Sequence, residues 1–296
     1  MKMTTQLEKI LTRRIPSFDT IQDAIFFATG QLASTTPRLD AEILLAYALK
    51  ISRGYCYTHP EQALTAEQQL SYQELIERRL KGEPIAYIVG KQEFWHHYFI
   101  VTPATLIPRP ETELLVQLLL NELPTESELQ IADLGTGSGA IALSLAKERP
   151  NWHLTATDFC KDALQVAKQN AQKLQVDNIQ FSQGSWCLAL PQHSYHAIVA
   201  NPPYIAAGDP HLDWGGLRFE PKSALVAGPD GLSAMREIVT NAGDYLLNGG
   251  FLLLEHGYDQ GQAVRELLES CGFIHVQTER DLAGHDRVTK GVWQNK

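Results

Sequence analysis

Asn201-Pro202-Pro203-Tyr204 is the stretch of this 296-residue chain best equipped for chemistry. Adjacent prolines fix φ and carry no backbone N–H. The loop is therefore stiff and presents carbonyl acceptors without competing donors. Asn201 adds an amide, with one acceptor oxygen and two N–H donors. Tyr204 adds a flat ring. Such parts suit a planar NH2 group whose nitrogen has to be held still. Asn-Pro is also a common turn opener, and alone the four residues read equally well as a turn.

A second group lies upstream. Gly135-Thr136-Gly137-Ser138-Gly139 sits where the apolar run 131–134 gives way to a helix-forming segment. Glycine lets a backbone turn tightly and approach a ligand closely, so Gly135, Thr136, Gly137, Ser138 and Gly139 are candidate cofactor-binding residues. Asp158 closes the next apolar run, where a carboxylate is placed to accept hydrogen bonds from both hydroxyls of a ribose. Gly-x-Gly-x-x-Ala also matches a dinucleotide fingerprint, so the glycines do not separate a nicotinamide cofactor from S-adenosylmethionine. Trp186 follows a third run and either borders a purine or belongs to the core rim. Asp133 either orients the loop, the favoured reading, or touches the cofactor's amino-acid end.

The two groups imply one chemistry. An amide or aromatic amine nitrogen is a poor nucleophile because its lone pair is delocalised. Left neutral, it needs a very electrophilic partner, such as the methyl of a sulfonium. Asn201 Oδ1 and the Pro202 carbonyl, accepting both N–H bonds, would enrich the nitrogen and fix its direction. The rate then rests on near-attack geometry and on acceptors that tighten as positive charge grows on nitrogen. Asn201, Pro202 and Tyr204 are the candidate catalytic residues. With Pro203 they form the candidate substrate clamp, and Asn201 also faces the cofactor. The chain offers no convincing nucleophile–base pair. His96, His97 and His256 lack metal-ligand spacing, and no metal is expected.

The elements that must position these residues alternate. Apolar runs at 131–134, 154–157, 179–181, 197–200 and 251–254 are separated by helix-forming segments, which predicts a doubly wound, mostly parallel α/β sheet of Rossmann-like type. Ligands bind such sheets where strand order reverses; if the first and fourth strands are neighbours, as in doubly wound sheets, the glycine loop and Asn201–Tyr204 sit side by side. The final runs, 273–279 and 287–293, are joined too closely for a crossover and should pair antiparallel. Residues 1–84 predict a helical-bundle domain suited to docking. Ile21, Ala24, Ile25 and Ala28, then Leu39, Ile43, Leu44 and Tyr47, then Leu70, Leu75, Ile76 and Leu80 recur at helical spacing. Thr36-Pro37 and Thr65 predict helix starts. Residues 85–102 predict a β-hairpin linker, and 103–296 the catalytic domain.

Composition narrows the partners. The formal net charge of −9 argues against a protein built to grip phosphate backbone. Its four cysteines show no Cys-x-x-Cys pair, so reduced thiols and a cytoplasmic setting are expected. No segment reads as a secretory leader or a membrane span.

Several longer motifs make the chain similar to a known family. Asp133-Leu134-Gly135-Thr136-Gly137-Ser138-Gly139 and Asn201-Pro202-Pro203-Tyr204 resemble the motifs of amino-group methyltransferases that use S-adenosylmethionine. Residues 37–42, Pro-Arg-Leu-Asp-Ala-Glu, and the segments 102–113, 218–221, 227–231 and 253–257 narrow the resemblance to the HemK-type family of peptide chain release factor glutamine methyltransferases. It runs from about residue 37 to 290. The resemblance implies a class I methyltransferase fold and methyl transfer to the side-chain nitrogen (N5) of the Gly-Gly-Gln glutamine of class-I release factors. It implies that the glycine loop, Asp158 and Trp186 bind S-adenosylmethionine, that Asn201 touches both cofactor and glutamine, and that the helical domain docks the release factor. Ser185 stands where many members carry an acid, and His96-His97 where a small residue is common. Rival readings are a ribosomal protein glutamine methyltransferase, a DNA adenine-N6 methyltransferase and a non-catalytic S-adenosylmethionine-binding module. Acidic charge weighs against the second, and the intact glycine loop, Asp158 and Asn201 against the third.

Overall fold

The computed structural model describes residues 18–295, and its contacts separate two units between Val89 and Gly90. The first unit is helical: α1 (Ile21–Gln31), α2 (Pro37–Leu49), α3 (Arg53–Thr58), α4 (Ala66–Leu80) and α5 (Ile85–Val89). Thr65 starts α4 through a full capping box. Its hydroxyl accepts the Gln68 N–H, and Gln68 Oε1 accepts the Thr65 N–H at 2.9 Å, which satisfies two otherwise orphan donors. Thr36 precedes Pro37 as predicted but makes no side-chain cap.

Ile21, Ala24, Ala28, Leu44 and Ile76 pack into this unit's core. Leu39, Tyr47, Leu70 and Leu80 were expected in it and are exposed. On α4 the buried stripe runs through Tyr72, Leu75 and Ile76 instead, because the Tyr72 ring fills the core and its hydroxyl reaches Ala41 O at 3.1 Å.

The predicted hairpin over 85–102 is shorter than expected. Ile85–Val89 is a helical turn, with the Pro84 carbonyl accepting the Tyr87 and Ile88 N–H groups at 3.1 Å. Burial of Ile88 in the helical core outweighs the β preference of this β-branched run. The hairpin itself is β1 (Lys91–Phe94) and β2 (His97–Ile100). It turns at Trp95 and His96, with Trp95 at φ 53°, and it belongs to the second unit. Phe94 and Phe99 enter that unit's core.

The rest of the second unit is α6 (Glu113–Glu122), β3 (Gln130–Leu134), α7 (Ala140–Glu148), β4 (His153–Asp158), α8 (Lys161–Leu174), β5 (Ile179–Gln183), β6 (Tyr195–Ala200), α9 (Ser233–Ala242), β7 (Leu246–Glu255), α10 (Gly261–Ser270), β8 (Phe273–Arg280) and β9 (Asp286–Trp293). The seven strands lie in the order β5-β4-β3-β6-β7-β9-β8. Only β9 runs against the others.

Successive residues of a strand face opposite sides, and both sides here are covered. Ile131, Ala197, Val199 and Leu253 pack with Leu115 and Leu119 of α6 and Leu143 of α7. Ala132, Leu134, Ile198, Leu252 and Leu254 pack with Met235 and Ile238 of α9 and with Val264 and Leu268 of α10. Two-sided burial explains why β6 is a continuous apolar run. Strand order reverses between β3 and β6, which are hydrogen-bonded neighbours.

Candidate active site

The register of β3 and β6 sets the site. Leu134 pairs with Ala200, so Gly135 and Asn201 are the first residues beyond the paired ends of adjacent strands. The glycine loop and the Asn201–Tyr204 loop therefore open side by side at the carboxyl edge of the sheet. A cavity of about 290 Å³ lies over this edge. Its wall includes Gly135, Thr136, Gly137, Ser138, Asp158, Trp186, Asn201 and Pro203. Gly139, Pro202 and Tyr204 are not on that wall.

Three glycines of the loop adopt left-handed backbone: Gly135 at φ 71°, Gly137 at 56° and Gly139 at 83°. They differ in what a side chain would meet. A Cβ on Gly135 would lie 2.9 Å from the Trp186 ring, and one on Gly139 would lie 2.9 Å from Leu143 Cδ1. A Cβ on Gly137 would meet nothing within 4 Å. Gly139 thus serves helix packing, Gly135 packs under Trp186, and Gly137 leaves its backbone open to the cavity. Such an open, left-handed backbone suits close approach of a ligand. The hairpin is tied to the loop as well. Buried Asn170 of α8 exchanges hydrogen bonds with Ile100 and donates to the Ser138 carbonyl at 2.9 Å.

Two carboxylates organise the loop. Asp158 accepts the Gly137 N–H at 2.9 Å and the Cys160 N–H at 2.8 Å, one on each oxygen. Burial still holds its carboxyl above the usual range, against those two bonds. Each oxygen keeps a second lone pair. Asp133 lies deeper and accepts from the Thr136 hydroxyl at 2.6 Å and the Ala142 N–H at 3.3 Å. Burial pushes its carboxyl up to about 7. It fastens the loop to the start of α7, the orienting role expected of it. Trp186 opens a short 3-10 turn at φ 42°; its ring packs against Gly135 and also borders the cavity. Ser185 donates to Glu237 at 2.8 Å.

On the other loop, the Asn201 amide is oriented by a residue that spacing did not single out. Asn201 Nδ2 donates to Thr112 Oγ1 at 3.1 Å. With the NH2 turned to Thr112, Oδ1 is the end left for an incoming donor. The Tyr204 hydroxyl turns inward to Glu255 at 3.5 Å, and Gln260 holds its carbonyl at 3.1 Å. Desolvation raises the Tyr204 phenol above its ordinary range. Glu255 is fully buried, and burial pushes its carboxyl up to about 7 against the Thr112 hydroxyl.

Residues of the segments 104–108 and 221–224, among them Leu106, Pro108, Pro221 and Ser223, also line the cavity. Glu220 pins these two segments together by accepting the Ile107 N–H at 3.0 Å and pairing with Arg109. Thr112, Glu220 and Glu255 had one signal in the sequence, their place within the longer family motifs. Among the described residues no three His, Cys, Asp or Glu side chains cluster as a metal site, and no helix is long and apolar enough to cross a membrane.

Known proteins match this chain along most of its length. The family described as the PrmC N-terminal domain matches residues 23–90, and the methyltransferase small domain matches residues 111–215. The release factor glutamine methyltransferase of Coxiella burnetii is 52% identical over 86% of this chain and 91% of its own length. Its namesakes from Shewanella oneidensis, 46% identical over 92% of this chain and 96% of theirs, and Aliivibrio fischeri, 44% identical over 98% and 99%, match nearly end to end. Among solved structures, a Pyrococcus furiosus methyltransferase superposes with a TM-score of 0.50 at 16% identity, over 74% of this chain and 98% of that one. The Thermus thermophilus 16S rRNA N2 G1207 methyltransferase superposes with a TM-score of 0.51 at 19% identity, over 69% of this chain and 50% of that one. These two share the class I methyltransferase fold. Relatives this similar along almost the whole sequence place the chain in the release factor glutamine methyltransferase family.

Proposed function

We propose that this protein transfers a methyl group from S-adenosylmethionine to the side-chain amide nitrogen of the Gly-Gly-Gln glutamine of class-I release factors, in the cytoplasm. The observation that carries the reading is the Asn201–Thr112 bond. It holds the Asn201 amide with its acceptor oxygen spare, on the same cavity as an open glycine backbone.

The residues present fit the cofactor. Gly135, Thr136, Gly137 and Ser138 would lie against it, Asp158 would accept from its ribose, and Trp186 would border its purine. Gly139 supports the loop from behind. When bound, S-adenosylmethionine supplies the electrophilic methyl on sulfur. The chain's own part is positioning. Asn201 Oδ1 and the Pro202 carbonyl accept the two N–H bonds of the substrate amide, and rigid Pro203 and the Tyr204 ring limit its movement. These acceptors grip harder as positive charge grows on the nitrogen. The methylated nitrogen is acidic and sheds its proton without a dedicated base. The helical unit that ends at Val89 would dock the release factor, and the unit that begins at Gly90 would carry the chemistry.

The test is mass spectrometry of a release factor incubated with this protein and labelled S-adenosylmethionine. One added methyl on the Gly-Gly-Gln glutamine is expected. Transfer to a ribosomal protein or to DNA adenine instead would overturn the substrate assignment.

A further inference from the structure

The last residue of the Asn201–Tyr204 loop is held from behind. Its carbonyl accepts from Gln260 Nε2 at 3.1 Å. Gln260 Oε1 in turn accepts the Gly257 N–H at 2.9 Å. A backbone N–H only donates and a carbonyl only accepts. Both ends of the Gln260 amide are therefore committed, and its direction is fixed. Space around the contact is tight as well. A Cβ on Gly231 would lie 2.3 Å from the Tyr204 oxygen and 2.8 Å from Gln260 Nε2.

The turn that carries Gln260 is itself anchored. Residues 256–260 follow β7 directly. His256 is buried, with Nδ1 2.8 Å from the Gly257 carbonyl and Nε2 2.8 Å from Thr289 Oγ1 of β9. The carbonyl only accepts, so Nδ1 carries a proton. The His256 N–H donates to the Arg287 carbonyl at 2.9 Å, and Arg287 Nη1 donates back to the His256 carbonyl at 3.1 Å. His256, which has no metal-ligand spacing, thus ties this turn to the sheet.

The loop hangs between two fixed points. Thr112 holds Asn201 at its start, and Gln260 holds Tyr204 at its end. Pro202 and Pro203 lie between these anchors and have no N–H of their own to bond. Both anchors are needed to keep the intervening carbonyls in place.

We propose that Gln260 is a positioning residue: by holding the Tyr204 carbonyl it fixes the far end of the loop, and with it the Pro202 carbonyl that receives a substrate N–H. The idea rests on the methyl transfer to a glutamine amide proposed above.

The test compares Gln260→Glu and Gln260→Met with the parent, in the full chain. Glu keeps an acceptor for the Gly257 N–H and loses the donor to Tyr204; Met loses both at similar length. Each should lower kcat on release factor about 10- to 100-fold, the scale for a slightly misplaced reacting group. Affinity for S-adenosylhomocysteine, measured by calorimetry, should change by no more than about threefold, the signature of an interaction outside ground-state binding. A packing role alone would lower Tm and leave kcat of the folded enzyme unchanged. A second readout needs no substrate: deuterium uptake by a peptide spanning residues 201–207. The Ile205 N–H bonds to the Leu225 carbonyl and the Ala207 N–H to the Gly228 carbonyl, so both report opening of the loop's far end. Their exchange should be about tenfold faster in both variants, the effect of one lost hydrogen bond on a local opening equilibrium.

Parent-like kcat in Gln260→Glu, or parent-like exchange over 201–207, would overturn the proposal. If Gln260→Glu fails to fold, Gln260→Met gives the same discrimination. Failure of the parent protein to methylate release factor would instead overturn the functional reading, while the exchange measurement would still decide whether Gln260 holds the loop.

Discussion

Gly137 donates its backbone N–H to Asp158 Oδ2 at 2.9 Å, which makes the candidate ribose acid and the glycine loop one mechanical piece. The second oxygen of Asp158 is equally engaged, by the Cys160 N–H at 2.8 Å. The acid therefore shapes the loop as well as offering itself to a ligand. Hydrogen bonds to a charged group are worth about 1.5–3 kcal/mol each. Asp158→Ala should weaken S-adenosylmethionine binding by about 10- to 100-fold, at roughly tenfold per 1.4 kcal/mol. Calorimetry showing unchanged affinity would remove the ribose assignment.

The loop glycines should not be equivalent. Gly135→Ala meets the Trp186 ring at 2.9 Å at a φ of 71°, whereas Gly137→Ala meets nothing within 4 Å at a φ of 56°. Both substitutions carry the left-handed penalty of about 1–2 kcal/mol, and only the first adds a clash. Thermal unfolding should therefore show a larger loss of Tm for Gly135→Ala. Trp186→Ala in that background should recover part of the loss, because the two residues touch and their effects will not add. Equal losses in the two single variants would contradict this packing.

Much of the site was legible from short-range pattern. The glycine loop, Asp158 and Asn201 each follow directly on an apolar run, and alternation of runs with helices implied the reversal that joins them. The remainder depends on contacts between distant parts of the chain. Thr112 meets Asn201 across 89 positions, and Glu255 meets Tyr204 across 51, and no local periodicity encodes such pairs. The segment Ile85–Val89 misled for the converse reason. Its β-branched residues suit a strand, but they end a helical unit whose core takes Ile88. Pro202 and Tyr204 were expected in the clamp yet lie off the cavity wall, and the Tyr204 hydroxyl is directed inward to Glu255.

Glu255 also gives the fold a pH dependence with a definite sign. Burial lifts its carboxyl from an ordinary 4.5 to about 7, so between those values the folded state binds more protons than the unfolded chain. Stability from this group is fully present below the unfolded pKa and declines as pH rises through the folded one. Glu255→Gln removes the titration. Its Tm relative to the parent should climb as pH is raised from 4.5 to about 7, the window spanned by the two pKa values. A difference in Tm that stays constant with pH would show that Glu255 does not titrate in this range.

Replacing Asn201 by Ala tests most directly whether the loop works by aligning a neutral nitrogen. The measurement is single-turnover methylation of release factor, paired with calorimetry of S-adenosylhomocysteine binding. Losing a preorganised polar contact to the reacting group should slow the chemical step by about 100- to 1,000-fold, while cofactor affinity stays within about threefold because the lost interaction matters at the transition state. Turnover close to that of the parent would contradict the account, since the spare Asn201 oxygen would then have no part in holding the substrate nitrogen.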